Sequence, residues 1–462
     1  MTAFFVRFKL IMLGETRGNT MNIGDVTKNE PRRKVMVIDS KSFYASVESV
    51  DRGLNPLQSL LVVMSQQDNT NGGLILAASP RAKKELGLKN TMRQRDVPYD
   101  PRLIIVNPRM NRYIAMNKKV NDIFRRFVAE EDLHLYSIDE SILDFTNTWE
   151  YLKFQYGADL SLTKLARIIQ LQVKKELGLY LTVGIGDNPA MAKMALDLTA
   201  KHAFSLIGEW HFETISDVLW PIKQLDDVWS IGSRTAKKLR RLGILSMQDL
   251  AFFDPYRLKQ EFGVRGAELS ALAWGVDRSV LSQRYHIKET SISNSQVLPR
   301  DYSSRQEIEV VIREIGEQVA SRLRAKNKVA GSVSLFIGYS YHSSEAKHSH
   351  GFNVQTKITP TSSSHKISQA LLNLYEDYEE GGIVRNVGVS AGKVQPAFFE
   401  QLDLLQPIKK QLNETKIDQV VDDIRRKFGL TSLVKLSSIG DGGTMIDRAG
   451  LVGGHNGGNA FG

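Results

Sequence analysis

Short apolar runs dominate the first half of the chain, and they predict β-strands. They are rich in β-branched residues and bounded by polar or turn residues, which is typical of strands buried in a sheet. The runs are KVMVID (34–39), LLVVM (60–64), LILAA (74–78), LIIV (103–106) and YLTVGIG (180–186). Helical spacing of apolar residues in 165–177 and 188–203 predicts helices. This alternation predicts an α/β or α+β domain around one sheet.

The second half of the chain changes character twice. From about residue 208 to 288 the strand runs stop and helices are predicted. A polar link at 288–296 leads to a predicted amphipathic helix at 305–327, followed by strands at 330–342, 351–358 and 384–392 and a helix at 367–379. These elements predict a second, smaller βαββαβ domain, and the remaining residues end in a glycine-rich tail.

Length, charge and cysteine usage narrow the class of protein. A chain of 462 residues is too long for one core and suggests several domains. Lys and Arg number 61 against 51 Asp and Glu, which favours a polyanionic partner, nucleic acid first and acidic membrane second. The absence of cysteine excludes disulfides and thiolate chemistry and fits a cytoplasmic protein. No window is apolar enough for a membrane span, and residues 1–33 are interpreted as an N-terminal extension outside the fold.

Three carboxylates are placed where strands end. Asp39 closes the first strand, and Asp139 and Glu140 lie at a predicted tight turn within LHLYSIDESILDF (133–145). If these strands are neighbours in one sheet, the three acids converge at one edge and need cations such as Mg²⁺. Two such ions can support phosphoryl transfer. Acids are also common in solvated turns, so spacing alone leaves both interpretations open.

Four ordered motifs carry a resemblance to a known family. They are DSKSFYASVE (39–48), YSIDES (136–141), TVGIGDNPAMAKMALDLTAK (182–201) and WSIGSRTAKKLRRLGI (229–244). From about Lys34 to the C-terminal tail, the chain resembles Y-family translesion DNA polymerases. The similarity is to their UmuC-like branch, the polymerase V type catalytic subunits and UV-resistance proteins of Gram-positive bacteria, plasmids and prophages.

The resemblance implies an α+β multidomain protein with the right-hand polymerase architecture. The implied parts are a ferredoxin-like βαββαβ palm (34–43 and 105–207), small fingers (44–104), a helical thumb with a helix-hairpin-helix (208–288) and a βαββαβ little finger (289–396). Residues 397–462 are then a C-terminal tail that contains a clamp-binding peptide.

The resemblance also implies an active site. Asp39, Asp139, Glu140 and the backbone carbonyl of Ser40 would hold two Mg²⁺ ions, or Mn²⁺ in their place. Tyr44 would act as a steric gate against a ribose 2′-hydroxyl, with Phe43 beside the same nucleotide, although aromatic residues most often serve core packing. The implied triphosphate ligands are Ser79, Arg81, Lys84 and Lys201. Many relatives have arginine where this chain has Lys84, and an aromatic residue where it has Arg81.

Two further segments suggest macromolecular partners. In the helix-hairpin-helix pattern, Gly232 permits a tight turn whose N–H groups can face a DNA phosphate. The added positive charges are Lys237, Lys238, Arg240 and Arg241, which on their own would be plain basic surface. QLDLL (401–405) resembles the peptide by which such polymerases bind the sliding clamp, and the alternative is a short amphipathic core segment. Its candidate contacts are Gln401, Leu402, Leu404 and Leu405.

The predicted function is template-directed, low-fidelity DNA synthesis past damaged bases in SOS damage tolerance. The partners are primer–template DNA, dNTPs, the sliding clamp and accessory SOS proteins, with no membrane. One alternative is a catalytically inactive or partner-dependent scaffold that binds DNA and clamp. Another is a palm-like two-metal enzyme such as a nucleotide cyclase, which would not need the thumb hairpin, little finger or clamp peptide.

Overall fold

The computed structural model describes residues 26–65, 73–283, 290–347, 349–397, 408–452 and 455–456. Its strands form four sheets. The strands are β1 (Val35–Ser40), β2 (Leu61–Ser65), β3 (Leu74–Ala78), β4 (Ile104–Val106), β5 (Leu133–Leu135), β6 (Glu140–Asp144), β7 (Leu181–Gly186), β8 (Ile207–Trp210), β9 (Ile292–Tyr302), β10 (Lys328–Tyr339), β11 (Gly351–Thr361), β12 (Val384–Pro396), β13 (Leu451–Val452) and β14 (His455–Asn456).

The α-helices lie between and after these strands. They are α1 (Phe43–Asp51), α2 (Pro80–Leu86), α3 (Met110–Phe124), α4 (Trp149–Tyr156), α5 (Leu162–Leu177), α6 (Pro189–Ala195), α7 (Ile215–Val218), α8 (Ser233–Arg241), α9 (Met247–Phe252), α10 (Pro255–Phe262), α11 (Val264–Ala273), α12 (Arg305–Ala325), α13 (Tyr341–Lys347), α14 (Ser364–Tyr378), α15 (Ile408–Phe428) and α16 (Met445–Arg448). Within the described ranges, no helix combines the length and the apolar character that crossing a membrane requires.

The first sheet has five strands in the order β5-β6-β1-β7-β8. β1 lies at its centre and pairs antiparallel with both β6 and β7. Five of the six β1 residues are buried, as its continuous apolar run predicts. β8 adds a parallel edge strand next to β7, which the sequence interpretation missed because IGEW is short and contains glycine.

A second sheet contains β2, β3 and β4, with β2 in the middle. The expectation of one sheet for all the early strands is therefore wrong. These strands enclose their own small core, in which Val62, Met64, Ile75 and Ala82 are buried. β4 continues this sheet through Val106, two residues beyond the predicted end of the fingers at 104. An apolar run identifies a strand, but it does not identify the strand's partners.

Glycines on the first sheet let α6 lie directly on the strand backbones. An added Cβ at Gly184 would lie 2.1 Å from the carbonyl oxygen of Ala192, and one at Gly186 would lie 2.4 Å from the Ala192 nitrogen. Gly208 is the register partner of Gly184 on β8, and a Cβ there would lie 2.6 Å from the Ala195 carbonyl oxygen. Side chains at these positions would force the helix away from the sheet.

The helix predicted over 188–203 is present in two parts. α6 continues directly into one π-helical turn, Leu196–Ala200. The Lys201 amide donates to the Leu196 carbonyl five residues earlier, at 3.1 Å. A π turn accommodates one residue more than an α turn, and such turns are frequent at functional sites. Because the turn is wider, the end of the helix is rotated relative to an unbroken α-helix.

The segment before β1 packs against the fold, contrary to its interpretation as an extension outside it. Val26 is buried in the core to which α8, α9, α10 and α11 contribute. Glu30 forms an ion pair with Arg278, and the Arg33 amide donates to the Asp187 carbonyl at 2.9 Å. Residues 26–33 therefore belong to the packed structure, while residues 1–25 lie outside the described part.

The four-stranded sheet has the order β11-β10-β12-β9, and α12 and α14 cover one of its faces. The predicted apolar stripe of α12 is buried, with no member more than 1% exposed. Its members are Ile308, Val311, Ile312, Ile315, Val319 and Leu323. Together these elements form the predicted βαββαβ arrangement.

The segment 416–449 is more than a tail, because several of its residues contact α12. Arg324 of α12 is largely buried and pairs with Asp418 at 3.1 Å and Asp422 at 2.6 Å, both on α15. Buried Glu314 accepts a hydrogen bond from the Thr444 amide at 3.0 Å and pairs with Arg448 at 3.3 Å. The sequence interpretation missed these contacts because isolated charged residues give no sign of their partners.

Gly184→Ala is expected to destabilise the protein by about 1–3 kcal/mol, because the new methyl group overlaps the α6 backbone. The measurement is urea unfolding followed by circular dichroism. Gly450→Ala is the control, since a Cβ there meets nothing within 4 Å. Equal stability of the two variants would contradict the close approach of α6 to the sheet.

Candidate active site

The three predicted acids lie together at one end of the first sheet. Asp39 and Glu140 are direct register partners on β1 and β6, and the Ser40 amide donates to the Asp139 carbonyl at 2.8 Å. Directly opposed residues on neighbouring strands project from the same face of a sheet. The pairing of the central strand with the strand after the turn therefore produces the convergence that the spacing suggested.

Burial and neighbouring charges alter the electrostatics of Asp39. Burial raises the pKa of Asp39, and the positive charge of Lys201 opposes this shift. The negative charges of Asp139 and Glu140 raise the pKa further, and it reaches about 6. An aspartate usually has a pKa near 4, so its negative charge is disfavoured at this position. The site consequently favours additional positive charge.

Lys193 of α6 supplies part of that charge. Its ammonium group forms an ion pair with Glu140 and a second one with Asp197, at 3.1 Å. Burial disfavours the charge on Lys193, but these two carboxylates outweigh it and raise the lysine pKa. In the described part of the chain, no three His, Asp or Glu side chains already form a metal-binding cluster. Glu140 is instead occupied by Lys193.

Three further lysines surround Asp39. Lys201, at the end of the π turn, approaches Asp39 to 3.9 Å and Asp197 to 2.6 Å. Burial lowers the pKa of Lys41. The positive charge of Lys201 lowers it further, whereas the negative charge of Asp39 raises it. The pKa of Lys83 is likewise lowered, by burial and then by Lys41, while Asp39 again opposes the shift. These lysines form a positively charged rim beside the acids.

Two of these rim lysines were missed in the sequence. Lys41 follows Asp39 by two residues, so strand alternation could have placed it on the same face. Lys83 interacts electrostatically with Asp39, whereas Lys84 was the predicted ligand. Successive residues of a helix point about 100° apart, so Lys84 cannot share the direction of Lys83. The structure therefore favours Lys83 over Lys84 as the residue that faces the site.

The predicted triphosphate role of Ser79 is contradicted by its environment. Ser79 is fully buried and caps α2: its hydroxyl donates to the Ser59 carbonyl at 2.6 Å and accepts from the Ala82 amide at 3.3 Å. Arg81 pairs with Glu85 at 2.6 Å, so a triphosphate would have to compete for its guanidinium group.

The aromatic pair after β1 lies at the start of α1. Tyr44 is half-buried, and its pKa is raised by burial and by the charge of Asp139, which places it beside the acids. Its ring stacks on that of Tyr113, with centroids 4.4 Å apart. Phe43 is buried in the core and contacts Tyr44 from inside, at 5.8 Å between centroids. The steric-gate role of Tyr44 and a nucleotide contact of Phe43 stay predictions.

The helix-hairpin-helix differs from expectation in its turn. Gly232 has φ −82°, which any residue can adopt, whereas Ser230 has φ 77° and is stabilised by hydrogen bonds from Arg265. A Cβ on Gly232 would meet nothing within 4 Å, so the space in front of this glycine is open. Gly232 is therefore distinguished by the open space in front of it and not by a special backbone angle, and its contact with a DNA phosphate stays a prediction.

The four predicted basic residues of α8 divide into two groups. Lys238 pairs with Glu261 at 3.2 Å, and Arg240 pairs with Asp226 at 2.8 Å. Lys237 and Arg241 are exposed, as is Arg234, which the sequence interpretation did not include. These three exposed residues recur at helical spacing along one face. The predicted clamp peptide, residues 401–405, lies outside the described residues.

Comparison with known proteins identifies relatives along nearly the whole chain. Residues 38–197 match the impB/mucB/samB family, and residues 289–404 match the impB/mucB/samB family C-terminal domain. The chain is 38% identical to the putative UV-damage repair protein UvrX of Bacillus subtilis, covering 92% of this chain and 98% of that protein. It is 31% identical to DNA polymerase IV 2 of the same organism, covering 91% of this chain and 98% of the relative.

The fold also has a counterpart among solved structures. A Y-family DNA polymerase chimera superposes with a TM-score of 0.62 at 20% sequence identity, covering 79% of this chain and 99% of the chimera. At this level of identity, the likeness shows the shared multidomain fold.

Asp39→Asn is expected to stabilise the metal-free protein by up to about 3 kcal/mol at neutral pH, because it removes a disfavoured charge. Below about pH 4, Asp39 is protonated in both the folded and the unfolded state, and the difference should vanish. Between about pH 4 and 6 only the folded state retains the proton, so the parent should lose stability relative to the variant as the pH rises.

The measurement is urea unfolding of both proteins in EDTA across this pH range. Asp122→Asn, at an exposed position on α3, is the control and should follow the parent. A loss of stability in Asp39→Asn at neutral pH would contradict the raised pKa of Asp39.

Proposed function

The chain belongs to the Y family of translesion DNA polymerases, and we infer that it is a DNA-directed DNA polymerase that acts in DNA repair. The observation that carries this function to the residues is the cluster of Asp39, Asp139 and Glu140 beside a lysine rim and an aromatic side chain. A reaction between a primer hydroxyl and a triphosphate needs this combination of charges.

The acids fit divalent cations. Carboxylates are the hard oxygen ligands that Mg²⁺ prefers, and burial together with two neighbouring acids disfavours the negative charge of Asp39 unless a cation compensates it. We assign two Mg²⁺ ions, or Mn²⁺, to Asp39, Asp139, Glu140 and the Ser40 carbonyl. When bound, such ions lower the pKa of the primer hydroxyl and neutralise charge on the transferring phosphate. Glu140 must exchange Lys193 for an ion to take part, and Asp197 remains to pair with Lys193.

The chain's own residues then bind and orient the substrates. Lys201, Lys41 and Lys83 attract the triphosphate, because their positive charges surround the edge where it must lie. Tyr44 packs against the sugar and excludes a 2′-hydroxyl. Phe43 supports Tyr44 from the core.

Primer–template DNA binds along the exposed basic face of α8. Arg234, Lys237 and Arg241 attract phosphates without regard to sequence, and the open space at Gly232 allows the backbone to approach closely. Residues 401–405 bind the sliding clamp, and accessory damage-response proteins are further partners. The small fingers, built on a three-stranded sheet, enclose the base pair loosely, which permits copying of damaged templates.

Asp139→Ala is expected to abolish primer extension by the purified protein with Mg²⁺ and dNTPs, because it removes one of three converging carboxylates. Extension is measured on an intact template and on one containing an abasic site, and the parent should extend both. Asp122→Asn is the control. It removes one surface carboxylate away from the site, and this variant should extend the primer like the parent.

Extension by Asp139→Ala at the parent's rate would refute the assigned site. An inactive parent that still binds DNA would favour the scaffold or a partner-dependent enzyme. Addition of the clamp then separates those two functions, because only the enzyme would gain activity.

Lys83→Ala is expected to raise the KM for dNTP on the order of tenfold, a loss typical of one charged contact. Lys84→Ala is the matched control, since it removes an identical charge from the neighbouring helical position. Steady-state single-nucleotide insertion measures both. A larger effect at Lys84 than at Lys83 would restore the assignment made from the sequence.

A further inference from the structure

Tyr44 does not stand alone at the site, because a second tyrosine lies flat behind it. The rings of Tyr44 and Tyr113 stack with centroids 4.4 Å apart and an angle of 15° between their planes. Tyr113 comes from α3 and is fully buried, whereas Tyr44 comes from α1 and is partly exposed. A partly exposed ring that rests on a buried one cannot retreat in that direction.

The buried ring is itself fixed by a hydrogen bond. The Tyr113 hydroxyl donates to Glu48 Oε1 at 2.9 Å. Glu48 lies one helical turn after Tyr44 on α1 and has no exposed surface. A buried carboxylate is costly unless positive partners compensate it.

Two arginines provide that compensation. Arg109 Nε and Nη2 donate to the two Glu48 oxygens at 2.8 and 2.9 Å, and Arg52 forms a further ion pair with Glu48. A bidentate arginine fixes the orientation of a carboxylate as well as its charge. The carboxylate therefore has one orientation, and it holds the Tyr113 hydroxyl at a defined point.

From these contacts we propose that Glu48 and Tyr113 are positioning residues that set sugar selectivity by holding Tyr44 in place. Arg109 acts one step further back, by orienting Glu48. The proposal rests on the proposed function, since it takes Tyr44 as the residue that meets the sugar. Neither Glu48 nor Tyr113 needs to touch the nucleotide, because the stacked ring transmits the constraint.

The proposed effect is on the Tyr44 ring, which is the surface that a ribose 2′-hydroxyl would meet. Excluding one hydroxyl group requires that the Tyr44 ring does not yield by the size of an oxygen atom. With Tyr113 in place, such a movement would compress two stacked rings against a buried, hydrogen-bonded network. Without that support, the ring can tilt into the space behind it and admit a ribonucleotide.

The test compares kcat/KM for dNTP and rNTP insertion by the full chain. Tyr113→Leu should lower the dNTP preference on the order of tenfold, as expected for altered shape in a pocket. The milder Tyr113→Phe keeps the ring, removes the hydrogen bond and should give a smaller decrease. In both variants the rNTP value should rise while the dNTP value changes by less than about twofold, unlike a general folding defect, which lowers both.

A double-mutant cycle shows whether the effect passes through Tyr44. In a Tyr44→Ala background, Tyr113→Leu should cause no further change in sugar preference, because the wall is already absent. An undiminished effect of Tyr113→Leu in that background would overturn the proposal. Unchanged sugar preference in Tyr44→Ala itself would instead overturn the steric-gate assignment on which the proposal rests.

Arg109 and Arg112, which lie three residues apart, offer a matched pair of variants for testing the contacts of Glu48. Arg109 donates hydrogen bonds to both Glu48 and Asp51, whereas the hydrogen bonds that Arg112 donates within the described residues go to Asp51, at 2.6 and 3.0 Å. Arg109→Gln should lower sugar preference and Arg112→Gln should not, although each removes one arginine from the interface of α1 and α3. If Arg109→Gln, Arg112→Gln and the parent all show the same sugar preference, the proposed positioning role of Glu48 is overturned.

Discussion

The burial of Asp39 beside two further carboxylates at one end of a sheet is the constraint on which the rest of the site depends. The pairing of β1 with β6 brings Asp39 opposite Glu140 and beside Asp139. Burial first, and then the charges of these two acids, raise the pKa of Asp39 to about 6. Such a site costs stability unless cations compensate it. The surrounding structure can be understood as a way to deliver positive charge to this edge while leaving room for substrate.

The delivery depends on backbone geometry as much as on charge. Gly184 and Gly208 bring α6 against the sheet, and the π turn that follows directs Lys201 towards Asp39. Lys193, on the same helix, is paired with Glu140 and Asp197. The site therefore contains its own counter-ions, which keep the acids compatible with a folded protein before any metal or nucleotide binds. Natural proteins commonly accept this kind of local cost where function requires it.

Much of this arrangement could be predicted from the sequence, and the failures have identifiable causes. Apolar runs marked β1 and β7, and the position of Asp139 after a short strand marked the turn. The runs could not show that β2, β3 and β4 form a sheet of their own, because pairing depends on long-range contacts. The sequence could not decide between Lys84 and Lys83, because a step of one residue on a helix changes the direction of the side chain by about 100°. The π turn and the left-handed Ser230 have no reliable signal in a single sequence.

We propose that Asp39, Asp139 and Glu140 together bind the ions that support nucleotidyl transfer. The most direct measurement is anomalous diffraction from crystals of the protein with Mn²⁺, a dideoxy-terminated primer–template and the next dNTP. We expect two anomalous peaks beside these three carboxylates, with Glu140 released from Lys193. Peaks elsewhere, or a Glu140 that remains paired with Lys193 in the complete complex, would contradict it.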